Sequence, residues 1–113
     1  MKVLVCGGRD FADWEKLFRT LDEVTAGHYG LHVIHGNAPG ADRIGGLWAH
    51  KKKLKVTTYP ADWHSYGKAA GPIRNQFMLD DGKPDVVVAC PGGKGTADMV
   101  ARAKKAGVRI VFV

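Results

Sequence analysis

The chain has 113 residues, of which 17 are lysine or arginine and 11 are aspartate or glutamate, giving a formal net charge of +6. This length predicts a single domain over residues 1–113. Hydrophobic residues make up 45% and charged residues 25%, which excludes an intrinsically disordered composition. No apolar run approaches the ~20 residues of a membrane span, and two cysteines are too few for a disulfide scaffold. We therefore expect a cytoplasmic globular protein with no membrane partner.

The first third of the chain contains two strand-like runs separated by a helical pattern. The run at 2–6 is β-branched and ends at two glycines, as a buried strand does. Apolar residues over 11–24 then recur at helical spacing, with Asp10 or Asp13 as the N-cap. The run at 31–35 predicts a second strand.

The middle of the chain repeats this order and then changes character. Apolar residues over 41–51 predict a second helix, and the run at 54–59 predicts a third strand. The stretch 60–72 has no clear period and is expected to be the longest loop. A third helix is predicted with Pro72 in its first turn and its end near Gly82.

The last third contains the clearest strand, at 85–90, followed by the glycine-rich segment 91–96. A helix from Ala97 to the stop at Gly107 and a fifth strand at 108–113 complete the pattern. Because strands alternate with helices throughout, we predict an α/β, Rossmann-like three-layer sandwich. Its five-stranded parallel sheet has the predicted order 3-2-1-4-5, with helices on both faces.

The fifteen glycines, about twice the usual share, are clustered where apolar runs end. Gly7-Gly8-Arg9 follows the first strand and 91–96 follows the fourth, so both turns face the crevice where such sheets bind ligands. The start of a helix favours a phosphate, and Thr96 can cap that helix or donate its hydroxyl to the phosphate. Neither turn has the dinucleotide or P-loop spacing. The alternative is that these glycines serve tight turns alone.

Five other side chains are candidates for ligand contacts. Arg9 and Arg74 suit phosphate oxygens, with surface ion pairs as the alternative. Asn75 is expected to orient a ribose hydroxyl or to cap a helix. Trp63 or Tyr66 could stack on a nucleobase, because long ordered loops are often binding loops, or could pack on the sheet.

Neither a metal site nor a cofactor is predicted, because the five histidines show no metal-ligand spacing. Cys6 and Cys90 end neighbouring strands without an identifiable base, so packing is favoured over a nucleophilic role. Basic clusters at 51–55 and 102–109 lie toward helix C-termini, where the dipole favours cations. A solvated surface is favoured over a nucleic-acid surface, because no aromatic residues interleave with the lysines.

Five segments taken together resemble one protein family. They match, in order, the patterns GGRDF, HG-x-APGAD, ADW, YGKAAGP-x-RN and PGG-x-GTADM, at residues 7–11, 35–42, 61–63, 66–75 and 91–99. These are the patterns of the YspA-type (cpYpsA-related) SLOG group, which belongs to a superfamily with the Lonely Guy-type phosphoribohydrolases. The resemblance implies a Rossmann-like domain that binds a nucleotide or nucleotide-derived ligand, often as a dimer. The DNA-processing protein A family uses a related fold on single-stranded DNA, which gives a weaker alternative.

Lonely Guy-type enzymes cleave the N-glycosidic bond of a nucleoside 5′-monophosphate, using the Arg and Glu of two motifs. Arg74 matches the Arg, but Met99 stands at the Glu position, with Asp98 one residue earlier. One position along a helix rotates a side chain by about 100°, so Asp98 does not simply replace the Glu. Asp42 is a second candidate carboxylate. Binding is therefore the expected function, and hydrolysis is the alternative.

These considerations define the candidate site. The candidates for catalysis are Arg74, Asp98 and Asp42. The residues expected to bind the ligand are Gly7, Gly8, Arg9, Gly36, Gly40, Ala41, Asp42, Trp63, Tyr66, Arg74, Asn75, Pro91, Gly92, Gly93, Lys94, Gly95 and Thr96.

Overall fold

A computed structural model describes residues 1–113. The strands are β1 (Lys2–Cys6), β2 (His32–His35), β3 (Lys55–Thr58), β4 (Val86–Ala89) and β5 (Arg109–Phe112). The helices are α1 (Trp14–Thr25), α2 (Ala41–Lys51), α3 (Trp63–Tyr66), α4 (Ala70–Gly82) and α5 (Lys94–Lys105), with a 3-10 turn at Gly67–Ala69. All strand pairs are parallel and their order is β3-β2-β1-β4-β5, which confirms the predicted fold and topology. None of the helices combines the length and apolar character needed to cross a bilayer.

The hydrophobic core lies on both faces of the sheet. In β1, Val3 and Val5 face the layer of α1 and α2, while Leu4 and Cys6 face the layer of α4 and α5. A strand covered on both faces is apolar along its buried length, which explains why Val3–Cys6 of β1 and the whole of β4 show no polar alternation. The helical side chains that fill the two layers include Leu17, Leu21 and Trp48 on one face and Met78, Leu79 and Met99 on the other.

The register of the central strands sets the position of the turns that follow them. Cys6 of β1 lies beside Ala89 of β4. Cys90 N–H donates to the Cys6 carbonyl at 2.8 Å, and Gly8 N–H donates to the Pro91 carbonyl at 2.8 Å. The pairing therefore continues past the strands and places the first glycine turn against the last one.

The segment 60–72 was expected to be a loop, and this prediction is wrong. The Asp62 side chain accepts a hydrogen bond from the Ser65 N–H at 3.1 Å and starts α3. Gly67, at φ +55°, ends α3 before the 3-10 turn, and α4 begins at Ala70. A four-residue helix with no buried residue has no apolar period to detect. Pro72 does lie in the first turn of α4, as predicted.

His35, the last residue of β2, provides a test of how a buried part of the fold responds to acid. The side chain is 4% exposed, and its Nδ1 accepts the Asn37 N–H at 2.9 Å. Burial lowers the pKa of His35 from its ordinary value of 6.5, and nearby Arg43 lowers it further. Above pH 6.5 the imidazole is neutral in both the folded and the unfolded chain, and its full contribution to the free energy of unfolding is present. As the pH falls toward the lowered pKa, the unfolded chain binds a proton that the folded chain does not, and this contribution is lost.

We expect the Tm to fall between about pH 7.5 and about pH 5, and to fall less in His35→Asn, whose amide oxygen can replace Nδ1 as acceptor. Thermal unfolding followed by circular dichroism measures this slope, and His28→Asn at an exposed position is the control. Equal slopes for wild type and His35→Asn would contradict the assignment.

Candidate functional site

A cleft of about 330 Å³ lies at the carboxyl edge of the sheet, where β1 and β4 end and α5 begins. It is lined by Cys6, Gly7, Gly8, Arg9, Ala38, Asp42, Trp63, Gly71, Arg74, Asn75, Met78, Gly93, Lys94, Gly95 and Thr96. This is the edge at which open α/β sheets bind their ligands. Eleven of these fifteen residues are in the predicted ligand-binding set.

The first glycine turn joins the three segments that surround the cleft. The Gly8 carbonyl accepts the N–H groups of Phe11 and Ala41, each at 3.2 Å, while its own N–H donates to Pro91. A Cβ atom on Gly8 would lie 2.9 Å from the Pro91 carbonyl oxygen. Glycine is therefore needed here because backbone packs directly on backbone.

The N-terminus of α5 presents unpaired donors to the cleft. The helix begins at Lys94 with Gly93 as the N-cap and no capping side chain, so the predicted cap at Thr96 is wrong. The N–H groups of Lys94, Gly95 and Thr96 precede the first intrahelical bond, from Ala97 to the Gly93 carbonyl, and find no acceptor in the protein. Such a first turn favours an anion both by its donors and by the helix dipole.

Arg74 projects from α4 and is fixed by three hydrogen bonds. Its Nη1 donates to the carbonyls of Gly36 at 2.8 Å and Tyr59 at 3.1 Å, and its Nε donates to the Asn75 side-chain oxygen at 3.0 Å. Nη2 has no acceptor in the protein and stays accessible in the cleft. Burial lowers the pKa of Arg74 and the nearby Asp42 carboxylate opposes this shift. The arrangement fixes two of the three guanidinium nitrogens and leaves the N–H groups of Nη2 for a ligand.

Asp42 is a buried carboxylate with one oxygen committed to the backbone. The residue is 5% exposed, and its Oδ2 accepts the N–H groups of Gly36 at 3.0 Å and Ala38 at 3.2 Å. Its Oδ1 has no hydrogen-bond partner in the protein, and the residue lines the cleft. Burial raises the pKa of Asp42, while the Ala38 and Gly36 N–H groups and the Arg74 charge act against it. The second glycine-rich segment thus turns back onto this side chain and orients it.

Asp98 occupies a different environment and does not line the cleft. Its Oδ2 accepts Arg102 Nε at 2.9 Å and Asn75 Nδ2 at 3.0 Å. Burial raises the pKa of Asp98, but the hydrogen bonds from Arg102 and Asn75 outweigh it and the pKa is lowered overall. Met99, the next residue, is 1% exposed and belongs to the core.

Asn75 connects α4 to the first turn of α5. Its Nδ2 donates to the Gly95 carbonyl at 3.2 Å as well as to Asp98, and its Oδ1 accepts from Arg74. This role differs from the helix cap considered above, because the amide bridges two helices. Its contacts hold Arg74 and the start of α5 in a fixed relation.

The remaining predicted residues lie behind or beside the cleft. Gly40, Ala41, Pro91 and Gly92 form the supporting backbone, Gly36 lines an adjoining pocket, and Tyr66 lines an apolar pocket on the other side of Arg74.

Gly71 and Met78 line the cleft but were not in the predicted set. With Arg74 and Asn75 they form a helical i, i+3, i+4, i+7 stripe. Because they lie one helical turn before and after Arg74 and Asn75, the predicted helix itself carried a signal for Met78, and a start at residue 70 adds Gly71.

The two cysteines are buried thiols on opposite faces of the sheet. Burial raises the pKa of Cys6 and of Cys90 to about 12, so neither is a thiolate near neutral pH. No group of three or more His, Cys, Asp or Glu side chains is arranged to hold a metal ion.

The two basic clusters are partly engaged within the protein. Lys52 forms an ion pair with Asp22 at 3.2 Å and lies over the Trp48 ring. Arg102 contacts Asp98 and the Gln76 side chain. Both clusters lie toward the C-terminal ends of α2 and α5 and the first residues of β3 and β5, and thus toward the sheet edge opposite the cleft.

Solved structures with this architecture support the fold. TM1055, a structural genomics target, superposes with a TM-score of 0.69 at 22% identity, covering 96% of this chain and 71% of its own. The UDP-GlcNAc 2-epimerase of Methanocaldococcus jannaschii, solved with UDP-GlcNAc and UDP, gives a TM-score of 0.55 at 21% identity. That match covers 100% of this chain but 32% of the epimerase, so this chain corresponds to about a third of it.

Comparison with known protein sequences gives a relative of higher identity than these structures. The Gene 61 protein of Mycobacterium phage D29 is 38% identical over 118 residues, which cover 97% of this chain and 94% of the phage protein. The model of the YspA, cpYpsA-related SLOG family matches residues 1–66, which contain β1, the first two glycine-rich turns and the start of the 60–72 segment. With the five segments matched in order and the glycine turns facing one cleft, the chain belongs to the YspA, cpYpsA-related SLOG family.

Proposed function

We propose that this chain binds a nucleotide or nucleotide-derived ligand, with a phosphate group at the N-terminus of α5. The observation that carries the proposal is the convergence of the unpaired N–H groups of Lys94, Gly95 and Thr96 with the accessible Nη2 of Arg74. Backbone donors and a guanidinium are complementary to phosphate oxygens, and neither requires the ligand to bring a metal.

Trp63 is the better placed of the two aromatic candidates for stacking on a base. It lines the cleft and is 55% exposed, whereas Tyr66 lies in the neighbouring apolar pocket. Asn75 contributes by holding Arg74, since both ends of its amide are already engaged by the protein.

Isothermal titration with a panel of nucleoside 5′-monophosphates and the matching nucleosides tests this proposal. We expect at least one monophosphate to bind, and its nucleoside to bind at least tenfold more weakly, because each charge-assisted hydrogen bond contributes about 1.5–3 kcal/mol. Failure of every monophosphate to bind, or equal affinity for nucleoside and monophosphate, would overturn it.

Hydrolysis of an N-glycosidic bond is a second candidate function, and the free Oδ1 of Asp42 favours it. In this reaction water adds to the anomeric carbon, the bond to the base breaks, and the base leaves with a proton. A buried carboxylate beside Arg74 can stabilise the positive charge that develops on the sugar. Asp98 is less suited, because Arg102 and Asn75 already bind its Oδ2.

If the chain is a hydrolase, Asp42→Asn should lower the rate of base release by at least about a hundredfold, since the charge is lost while the shape is kept. Asp98→Asn, the matched control outside the cleft, should retain most of the rate. Liquid chromatography of the free base measures both. No base release by the wild type, or equal losses in the two variants, would exclude this candidate or its assignment to Asp42.

The exposed apolar side chains Ile73 and Phe77 on α4 support pairing with a second copy of the chain, which we propose as its oligomeric state. Light scattering after size exclusion should then give twice the 12.2 kDa chain mass. A single-chain mass would refute this.

A further inference from the structure

A second pocket, which we call the arginine pocket, adjoins the cleft. It measures about 220 Å³, and Arg9, Arg43 and Arg74 all line it together with the Trp63 ring. No aspartate or glutamate lines it. Three positive side chains therefore converge on one concavity whose own lining holds no carboxylate, while Asp42, which lies near Arg74, lines the adjoining cleft.

Two of the guanidinium groups in this pocket, those of Arg9 and Arg43, are not engaged by the protein, and Arg74 keeps one nitrogen free. Arg9 and Arg43 form no side-chain hydrogen bond, and the two ion pairs in the chain, Lys52–Asp22 and Arg102–Asp98, lie elsewhere. Arg74 contributes its free Nη2. Arginines on a convex surface are simply solvated, but three that face one pocket offer several N–H forks in the geometry that phosphate accepts.

The arginine pocket and the cleft are continuous. Both are lined by Arg9, Ala38, Trp63 and Arg74, so a single ligand can extend from one to the other. They are also distinct, since Arg43 does not line the cleft and the N–H groups of α5 do not line the arginine pocket.

We propose that the arginine pocket binds a second phosphate group, so that the ligand is a nucleotide carrying two phosphates. This inference rests on the proposed function, which places the first phosphate at α5. Arg43 is the residue that distinguishes the two positions, because it contacts only the second.

The test compares one nucleoside as its 5′-monophosphate, its 5′-diphosphate and its 3′,5′-bisphosphate, titrated at one ionic strength. At least one ligand with two phosphates should bind the wild type about tenfold to a hundredfold more tightly than the monophosphate. Arg43→Ala should remove most of this gain and change monophosphate affinity by no more than about twofold. Arg43→Lys, which keeps the charge but loses the fork, should retain part of the gain.

Folding does not confound these variants, because Arg43 is exposed and makes no hydrogen bond with its side chain. Arg19→Ala, an exposed change on α1, controls for loss of net charge and should leave all three affinities unchanged.

The outcomes separate this inference from the function on which it rests. Binding of the monophosphate with no gain from a second phosphate overturns the inference alone. A gain that survives Arg43→Ala overturns its assignment to the arginine pocket, and no binding of any of the three nucleotides overturns both. If the inference holds, a gain from the diphosphate means that the phosphates are adjacent, and a gain from the bisphosphate means that the ribose separates them.

Discussion

Replacing Arg74 with alanine is expected to weaken binding of a nucleoside 5′-monophosphate by about a hundredfold or more, because a charge-assisted contact disappears from the centre of the site. The carbonyls of Gly36 and Tyr59 also lose their donor, and the buried Asp42 loses a nearby cation. We therefore expect a concurrent loss of about 1–3 kcal/mol in the free energy of unfolding. Isothermal titration and urea unfolding measure the two effects.

One further substitution, together with a control variant, shows which property of the Arg74 side chain binding requires. Arg74→Lys keeps a positive charge but cannot span Gly36, Tyr59 and Asn75 at once, so binding should remain at least about tenfold weaker than in the wild type. Arg19→Ala on α1 should bind normally. Affinity of Arg74→Ala within about threefold of the wild type would show that the ligand does not use this guanidinium.

Replacing Gly40 with alanine should be the most destabilising glycine substitution in the site. Gly40 has φ +79° and ψ −127°, a conformation that L side chains rarely adopt. Its Cβ would also lie 2.6 Å from the Arg9 carbonyl oxygen and closer still to that of Gly8. Backbone strain and collision with backbone together predict a loss of about 3–5 kcal/mol in the free energy of unfolding, measured in urea.

Gly27 provides a matched control for this effect. It has φ +78°, almost the same as Gly40, but nothing lies within 4 Å of the position that a Cβ would occupy. Gly27→Ala should therefore show the positive-φ cost alone, about 1–2 kcal/mol. If the two substitutions were equally destabilising, the packing of Gly40 against the first glycine turn would be unimportant.

The fold was predictable because β1 and β4 are short apolar runs, because glycine directly follows β1 and β2, and because Pro60 closes the run of β3. Each observed strand begins and ends within one residue of its predicted range. For the central strands β1 and β4 this follows from burial on both faces, which favours apolar residues along the strand. Of the two proposed caps of α1, the structure selects Asp13, whose Oδ1 accepts the Lys16 N–H at 3.2 Å. The α3 segment could not be predicted, because exposed residues carry no periodic signal.

The candidate site was predictable as far as backbone motifs determine it. The glycine turns pointed to the carboxyl edge of the sheet, where the cleft lies, but the different surroundings of Asp42 and Asp98 depend on side-chain contacts made across the fold. Asp98 is engaged by residues from α4 and α5, whereas Asp42 is oriented by the Gly36–Ala38 turn. The arginine pocket depends on the approach of Arg43 to the Pro60–Trp63 region, which no local pattern encodes.

The central position of β1 has a consequence for how the site comes into being. β1 pairs early in the chain with β2, but its other edge pairs with β4, and the contact between Lys2 and Asp85 spans 83 residues. Non-local pairing of this kind slows folding, because the intervening chain must be ordered before the contact forms. During synthesis, β1 keeps an open edge until β4 has emerged. On the proposed function, ligand affinity would therefore report completion of the sheet, because a nascent chain that stops before β4 lacks the edge on which the cleft is built.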